Sequence, residues 1–261
     1  MGALSILIIP GASALPKHWQ PVVDAVAKRG VDIQALHLPS VGLEDGAARP
    51  GPPPTLQDDA AFIAKHIAIL ADAGRDVILV THSYGGAPAS EAVKGLSKTS
   101  RQEQGLDGGV IRIAYMTSLV PALGQAPGGI LADLPAENQI PMTVDENGWI
   151  YYPDLTKMAE RSFNKFPPEE GLSWANKLVK HSAASFASPL TYAGYKDVPV
   201  SYLFCEDDLV IPPSVQQSGI DMIERETGKK ANVTRIDSDH VPSLSCLELV
   251  IDWIVKLTET K

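Results

Sequence analysis

The stretch Val77-Ile78-Leu79-Val80-Thr81-His82-Ser83-Tyr84-Gly85-Gly86 decides the reading of this chain. Val77 to Val80 form a dense apolar run, which suits a central parallel strand because such a strand is buried on both faces. The run leads into a serine and then into small residues, Ala87, Ala89 and Ser90, which predict a helix packed close to the strand. A strand–turn–helix of this kind holds its serine on a sharp, strained turn. The hydroxyl then projects above the sheet and the next N–H groups point at the reacting oxygen. The usual pattern is Gly-x-Ser-x-Gly. Here Thr81 replaces the first glycine and Gly85 keeps the second. A β-branched residue at that place is expected to crowd the turn.

Outward from this segment, apolar runs of strand length alternate with segments of helical period. Leu4–Ile9, Val31–Leu38, Asp76–Thr81, Val110–Met116, Val198–Cys205 and Ala231–Ile236 read as strands. Helices are expected across His18–Arg29, stopped by Gly30, and from an N-cap at Thr55 to Ala73, stopped by Gly74. The Gly- and Pro-rich stretch Ser40–Pro54 reads as loop. Such alternation implies a mostly parallel sheet of about six strands with helices on both faces. From about Pro121 to Leu190 the rhythm breaks. That stretch holds Trp149, Tyr151, Tyr152, Phe163, Phe166, Trp174 and Phe186. It is expected to be an inserted helical cap over the C-terminal edge of the sheet, where sites of such folds lie. A second packing layer without a binding role is the plain alternative. The whole chain, 1–261, reads as one domain.

With 261 residues, 44% of them hydrophobic, the chain is long enough for a large core. A formal charge of −9 makes phosphate backbones and anionic lipid poor partners. No nucleic acid and no membrane partner is therefore expected, while a homodimer stays open. Two cysteines, Cys205 and Cys246, make no metal-ligand spacing and no disulfide framework. No Gly-rich phosphate loop appears, so neither cofactor nor metal is expected. Leu4–Pro10 followed by Ala12-Ser13-Ala14 looks faintly like a signal peptide, but no basic residue precedes it and the run is short. Gly2 lacks the Ser or Thr that myristoylation needs at position 6. Asn232-Val233-Thr234 matches a glycosylation sequon, but it falls in a strand expected to be buried. A cytoplasmic location is the expectation.

A serine hydroxyl is a weak nucleophile until a base takes its proton, and the base needs an orienting acid. In strand–turn–helix serine hydrolases the chain order is Ser, then Asp or Glu, then His. After the strand ending at Cys205 come Glu206, Asp207 and Asp208, then Leu209-Val210-Ile211-Pro212. All three acids compete. Asp208 has the best spacing to the apolar turn, Asp207 is the reserve, and an acidic loop serving only the next helix dipole is the plain alternative. Of six histidines, only His240, in Asp237-Ser238-Asp239-His240-Val241-Pro242, follows the last strand. His37 reads as strand, while His18, His66 and His181 read as helical. His82 adjoins the serine but should point elsewhere. Ser83, His240 and Asp208 are thus the candidate nucleophile, base and acid. The oxyanion hole is expected from the N–H of Tyr84, after the nucleophile, and of Ala12, in the loop after the first strand.

Together these motifs resemble the plant methylesterase and hydroxynitrile lyase branch of the α/β-hydrolases, with related fungal and bacterial hydrolases. Pro10-Gly11-Ala12 is similar to that branch's His-Gly-Ala, with proline for histidine. His82-Ser83-Tyr84-Gly85-Gly86 is similar to its His-Ser-x-Gly-Gly, and Asp239-His240 to its Asp-His. Cys205 to Pro212 matches its Cys-x-x-Asp…Ile-Pro turn, which supports Asp208 over Asp207. The resemblance covers most of the chain, loosest in the cap. It implies an α/β-hydrolase fold and ester hydrolysis without a cofactor. Lyases of the branch carry a threonine beside the first oxyanion residue and a lysine after the histidine. Here Gly11 and Val241 stand there, which favours an esterase or lactonase. The expected substrate is a small to medium apolar ester or lactone. C–C bond cleavage or cyclisation on the same triad, and a ligand-binding receptor on the same fold, are the rival readings.

Overall fold

The computed structural model describes residues 3–132 and 134–259; Gly2 lies outside them. In chain order the first half runs β1 (Leu4–Ile9), α1 (Gln20–Ala27), β2 (Asp32–Ala35), α2 (Leu56–Asp72), β3 (Asp76–Ser83), α3 (Gly86–Ala92), α4 (Lys98–Gln102) and β4 (Gly109–Ser118). Next come α5 (Pro127–Leu131), β5 (Thr143–Val144), β6 (Trp149–Tyr151), α6 (Leu155–Ser162), α7 (Pro168–Ala175), β7 (His181–Ser182) and α8 (Ala183–Ala187). The chain closes with β8 (Val200–Cys205), α9 (Pro213–Thr227), β9 (Asn232–Ile236), α10 (Pro242–Ser245) and α11 (Leu247–Glu259).

Six strands form one parallel sheet in the order β2-β1-β3-β4-β8-β9. Period-two alternation sends Leu7, Ile9, Val77 and Leu79 into one core layer, and Ile6, Ile8, Ile78 and Val80 into the other. Both faces are covered, which is why β1 and β3 read as unbroken apolar runs. Because β1 pairs with both β2 and β3, the strand order reverses there, and a crevice opens beyond the strands' C-terminal ends. Thr55 caps α2 as expected, in a capping box with Asp58.

Four expectations need correction. The second strand stops at Ala35, so His37 lies in the following loop, with its ring bonded to Gly42 O at 2.8 Å. The segment expected to be a helical cap is mixed. Between β4 and β8 it adds the antiparallel sheet β5-β6-β7 to its helices. His181 belongs to that sheet and is fully buried, not helical. The strand at Ala231–Ile236 is not buried: β9 is an edge strand, and Asn232 is exposed. Its apolar residues are partly buried, Val233 against one core layer and Ile236 against the other. Among the described residues, no helix is long and apolar enough to cross a membrane.

Candidate active site

β3 delivers Ser83 into the left-handed region, at φ +52°. A serine held there stores about 1–3 kcal/mol, so its surroundings must impose the turn. Glycines make that possible by letting backbone approach. A Cβ on Gly85 would lie 2.3 Å from Ile9 O and 2.6 Å from Pro10 O, and one on Gly86 would lie 2.6 Å from Leu119 O. A Cβ on Gly11 would meet His82 Nδ1 at 2.8 Å and Ser83 Cβ at 2.9 Å. Thr81 does not crowd the turn. It is still within the strand, fully buried, with its hydroxyl 2.9 Å from Ser118 Oγ.

Three residues from distant parts of the chain meet at this turn. His240 Nε2 lies 3.0 Å from Ser83 Oγ, and His240 Nδ1 lies 2.7 Å from Asp208 Oδ2. Asp208 is fully buried after β8. Its Oδ1 accepts the N–H groups of Val210 at 2.7 Å and Ile211 at 2.8 Å, and its Oδ2 accepts the Thr117 hydroxyl. A carboxylate is acceptor-only, so Nδ1 must carry the proton that faces it, and Nε2 is left to accept from the serine. Asp207 points away: its carboxylate pairs with Lys165 and is 54% exposed. Glu206 is exposed as well.

The loop carrying His240 is tied down from several sides. Asp239 Oδ1 accepts Val241 N–H at 3.1 Å and the Ser245 hydroxyl at 2.6 Å, and Asp239 Oδ2 accepts Lys165 N–H at 3.2 Å. Burial pushes the Asp239 carboxyl above its ordinary range, and these donors oppose the shift. His82 lines the same cavity as Ser83 and donates Nε2–H to His240 O at 2.6 Å. Burial first, then the neighbouring His240, lowers His82 to about 3, so it is a neutral donor.

Ala12 lines the cavity beside Ser83. The Tyr84 side chain faces the core, and only its backbone belongs to the turn. Among the described residues neither the Ala12 nor the Tyr84 N–H donates to a protein acceptor. Ser83 and His240 open on a cavity of about 230 Å³, with a largely apolar lining. Tyr152, Phe163, Trp174 and Phe186 of the inserted segment contribute to it, whereas Trp149 is buried elsewhere, Tyr151 is exposed and Phe166 is partly buried beside Phe163. Sequence reasoning missed Thr117. It is the next-to-last residue of β4, at φ +34°, and its hydroxyl bonds to Asp208. A hydroxyl residue near a strand's C-terminal end is its only signal, and Ser118 gives the same one.

The chain matches the model of the "Alpha/beta hydrolase family" over residues 6–253. It is 31% identical over 252 residues to a probable hydrolase of a Phoma species, covering 97% of each chain. It is 33% identical over 254 residues to the alpha/beta hydrolase nvfD of Aspergillus novofumigatus, covering 96% of this chain and 94% of that one. Among solved structures it is similar to a pyrethroid hydrolase from Sphingobium faniae, with a TM-score of 0.73 and 21% identity, over 99% of this chain and 98% of that one. At that identity the likeness speaks for the fold alone.

Proposed function

The chain belongs to the alpha/beta hydrolase family, a family of hydrolases, and on that premise we propose that it is a serine carboxylic ester hydrolase acting through an acyl-enzyme. The observation that carries this reading is the continuous hydrogen-bonded line Ser83–His240–Asp208 at the wall of an apolar cavity.

In the first half-reaction His240 Nε2 takes the Ser83 proton as Oγ attacks the ester carbonyl. The charge that develops on the carbonyl oxygen is met by the N–H groups of Ala12 and Tyr84. As the C–O bond to the alcohol breaks, the imidazolium returns that proton to the leaving oxygen, and an ester to Ser83 remains. In the second half a water gives its proton to His240 and attacks the acyl carbon. Ser83 then leaves and recovers the proton from His240. Asp208 stays ionised throughout and stabilises the imidazolium; its four donors fix its orientation. The apolar lining and modest volume favour a small to medium apolar ester. Gly11 supports an esterase over a lyase, since a larger residue there would collide with His82 and Ser83.

The test is hydrolysis of short-chain p-nitrophenyl esters by the wild type and Ser83→Ala. Activity confined to the wild type is expected. Equal rates in both would remove Ser83 as nucleophile.

A further inference from the structure

Behind the wall of the site lies a set of buried polar groups that the reaction does not touch. Asp59, on α2, is fully buried and makes no ion pair among the described residues. Its carboxylate accepts Ser40 N–H at 2.9 Å, the Ser40 hydroxyl at 2.5 Å and the Tyr84 hydroxyl at 2.7 Å. A buried charge without a directly paired cation is costly, and these donors offset it, with the Arg49 guanidinium acting on it from farther off. His181 lies on the other side of Tyr84, its ring edge-on at 4.8 Å. His181 Nε2–H donates to Ser185 Oγ at 3.0 Å, and that hydroxyl donates to Ser182 O at 2.9 Å. Nδ1 is therefore the acceptor, and it takes the Ser13 N–H at 3.3 Å. Ser182 N–H closes the circuit on Ser40 O at 2.8 Å.

The two ends of this circuit are informative. Tyr84 is the residue after the nucleophile. Ser13 follows Ala12 and sits at φ +61°, its N–H held by His181 and its carbonyl by Val179 N–H at 3.1 Å. The two N–H groups assigned to the oxyanion come from separate loops, after β1 and after β3. Something must hold those loops in mutual register, because donors act fully only when fixed before charge develops. We propose that Asp59 and His181 are positioning residues that hold the Tyr84 and Ala12 N–H groups against the oxyanion. This rests on the serine hydrolase reading above. It assigns to α2 and to the inserted segment, through residues that touch no reacting atom, a share in transition-state stabilisation.

The test compares the full chain with Ser83→Ala, Asp59→Asn, Tyr84→Phe and His181→Phe. The last keeps an aromatic ring against Tyr84 but removes the acceptor for Ser13 N–H. Three quantities are read: the rate at which a fluorophosphonate probe labels Ser83, kcat and KM on p-nitrophenyl acetate, and the thermal midpoint. The expected result is a joint fall of labelling rate and kcat by about tenfold or more, with KM nearly unchanged. Folded variants with lower midpoints but wild-type labelling and kcat would make the network a structural staple only and overturn the proposal. If Asp59→Asn does not fold, Tyr84→Phe and His181→Phe decide the matter. Absence of labelling in the wild type, or labelling that persists in Ser83→Ala, would instead remove the serine hydrolase reading itself.

Discussion

The residue before the proposed nucleophile holds the backbone of the proposed base: His82 donates its Nε2–H to the carbonyl oxygen of His240 at 2.6 Å, and the two rings lie 4.9 Å apart. The Ser83 turn and the His240 loop are thereby fastened to each other by a group other than Ser83. The geometry at Ser83 thus does not depend on the 3.0 Å contact alone.

His82→Leu removes this donor and leaves a buried carbonyl without a partner. A fall in kcat of about tenfold with little change in KM is expected, since the base is displaced but the cavity survives. His82→Gln, which can still donate, is expected to recover part of the loss. Steady-state kinetics on a p-nitrophenyl ester distinguish the two. Equal rates for His82→Leu and the wild type would show that the other ties of the loop suffice.

The neighbouring acids should separate sharply. Asp208→Asn is expected to lower kcat by roughly three to four orders of magnitude, because the amide can favour the wrong imidazole tautomer. Asp207→Asn loses only an exposed ion pair with Lys165 and should stay near the wild-type rate. The reverse ranking would place the orienting acid one residue earlier.

Gly85→Ala is expected to destabilise the fold by about 3 kcal/mol or more, because its Cβ would meet two backbone carbonyl oxygens that cannot give way. Urea unfolding measures this. A change within error of zero would mean that the ends of β1 and β3 can move apart freely.

Asp59 gives the pH dependence a definite sign. Burial raises its carboxyl from an ordinary 3.8 to about 6, although the Ser40 and Tyr84 donors oppose the rise. Between those values the folded chain holds a proton that the unfolded chain has lost. The associated stability is therefore full below pH 3.8 and is lost as the pH rises through about 6. A rise of that size corresponds to about 3 kcal/mol. Asp59→Asn removes this titration while leaving the neutral His82 and His181 in both proteins. The stability of the wild type relative to the variant should thus fall by about 3 kcal/mol between roughly pH 4 and pH 7. A difference that stays flat would show that Asp59 keeps one protonation state across that range.

Most of the fold was legible because parallel strands buried on both faces leave continuous apolar runs, as in Leu4–Ile9 and Val77–Val80. The inserted segment was the least legible. Its strands β5 and β7 are two residues each, too short to show a period; β5 pairs with β6 in a local hairpin, but β7 reaches β6 only through the fold. His181 was misread for that reason: a lone histidine among Ser and Ala favours a helix locally, and its bonds to Ser13 and Ser185 exist only in the tertiary fold.

By itself the sequence determined the parallel α/β architecture and the order of Ser83, Asp208 and His240 at strand ends, because periodicity and turn residues act within a few positions of one another. Spacing already favoured Asp208 over Asp207, and the fold brings its carboxylate to His240; the contact from Thr117 and the buried circuit through Asp59, Tyr84 and His181 were decided by tertiary structure alone. Each depends on which way a side chain points once strands and loops far apart in the chain have packed. That direction is set by φ angles such as those of Ser83 and Thr117 and by burial, neither of which residue spacing encodes.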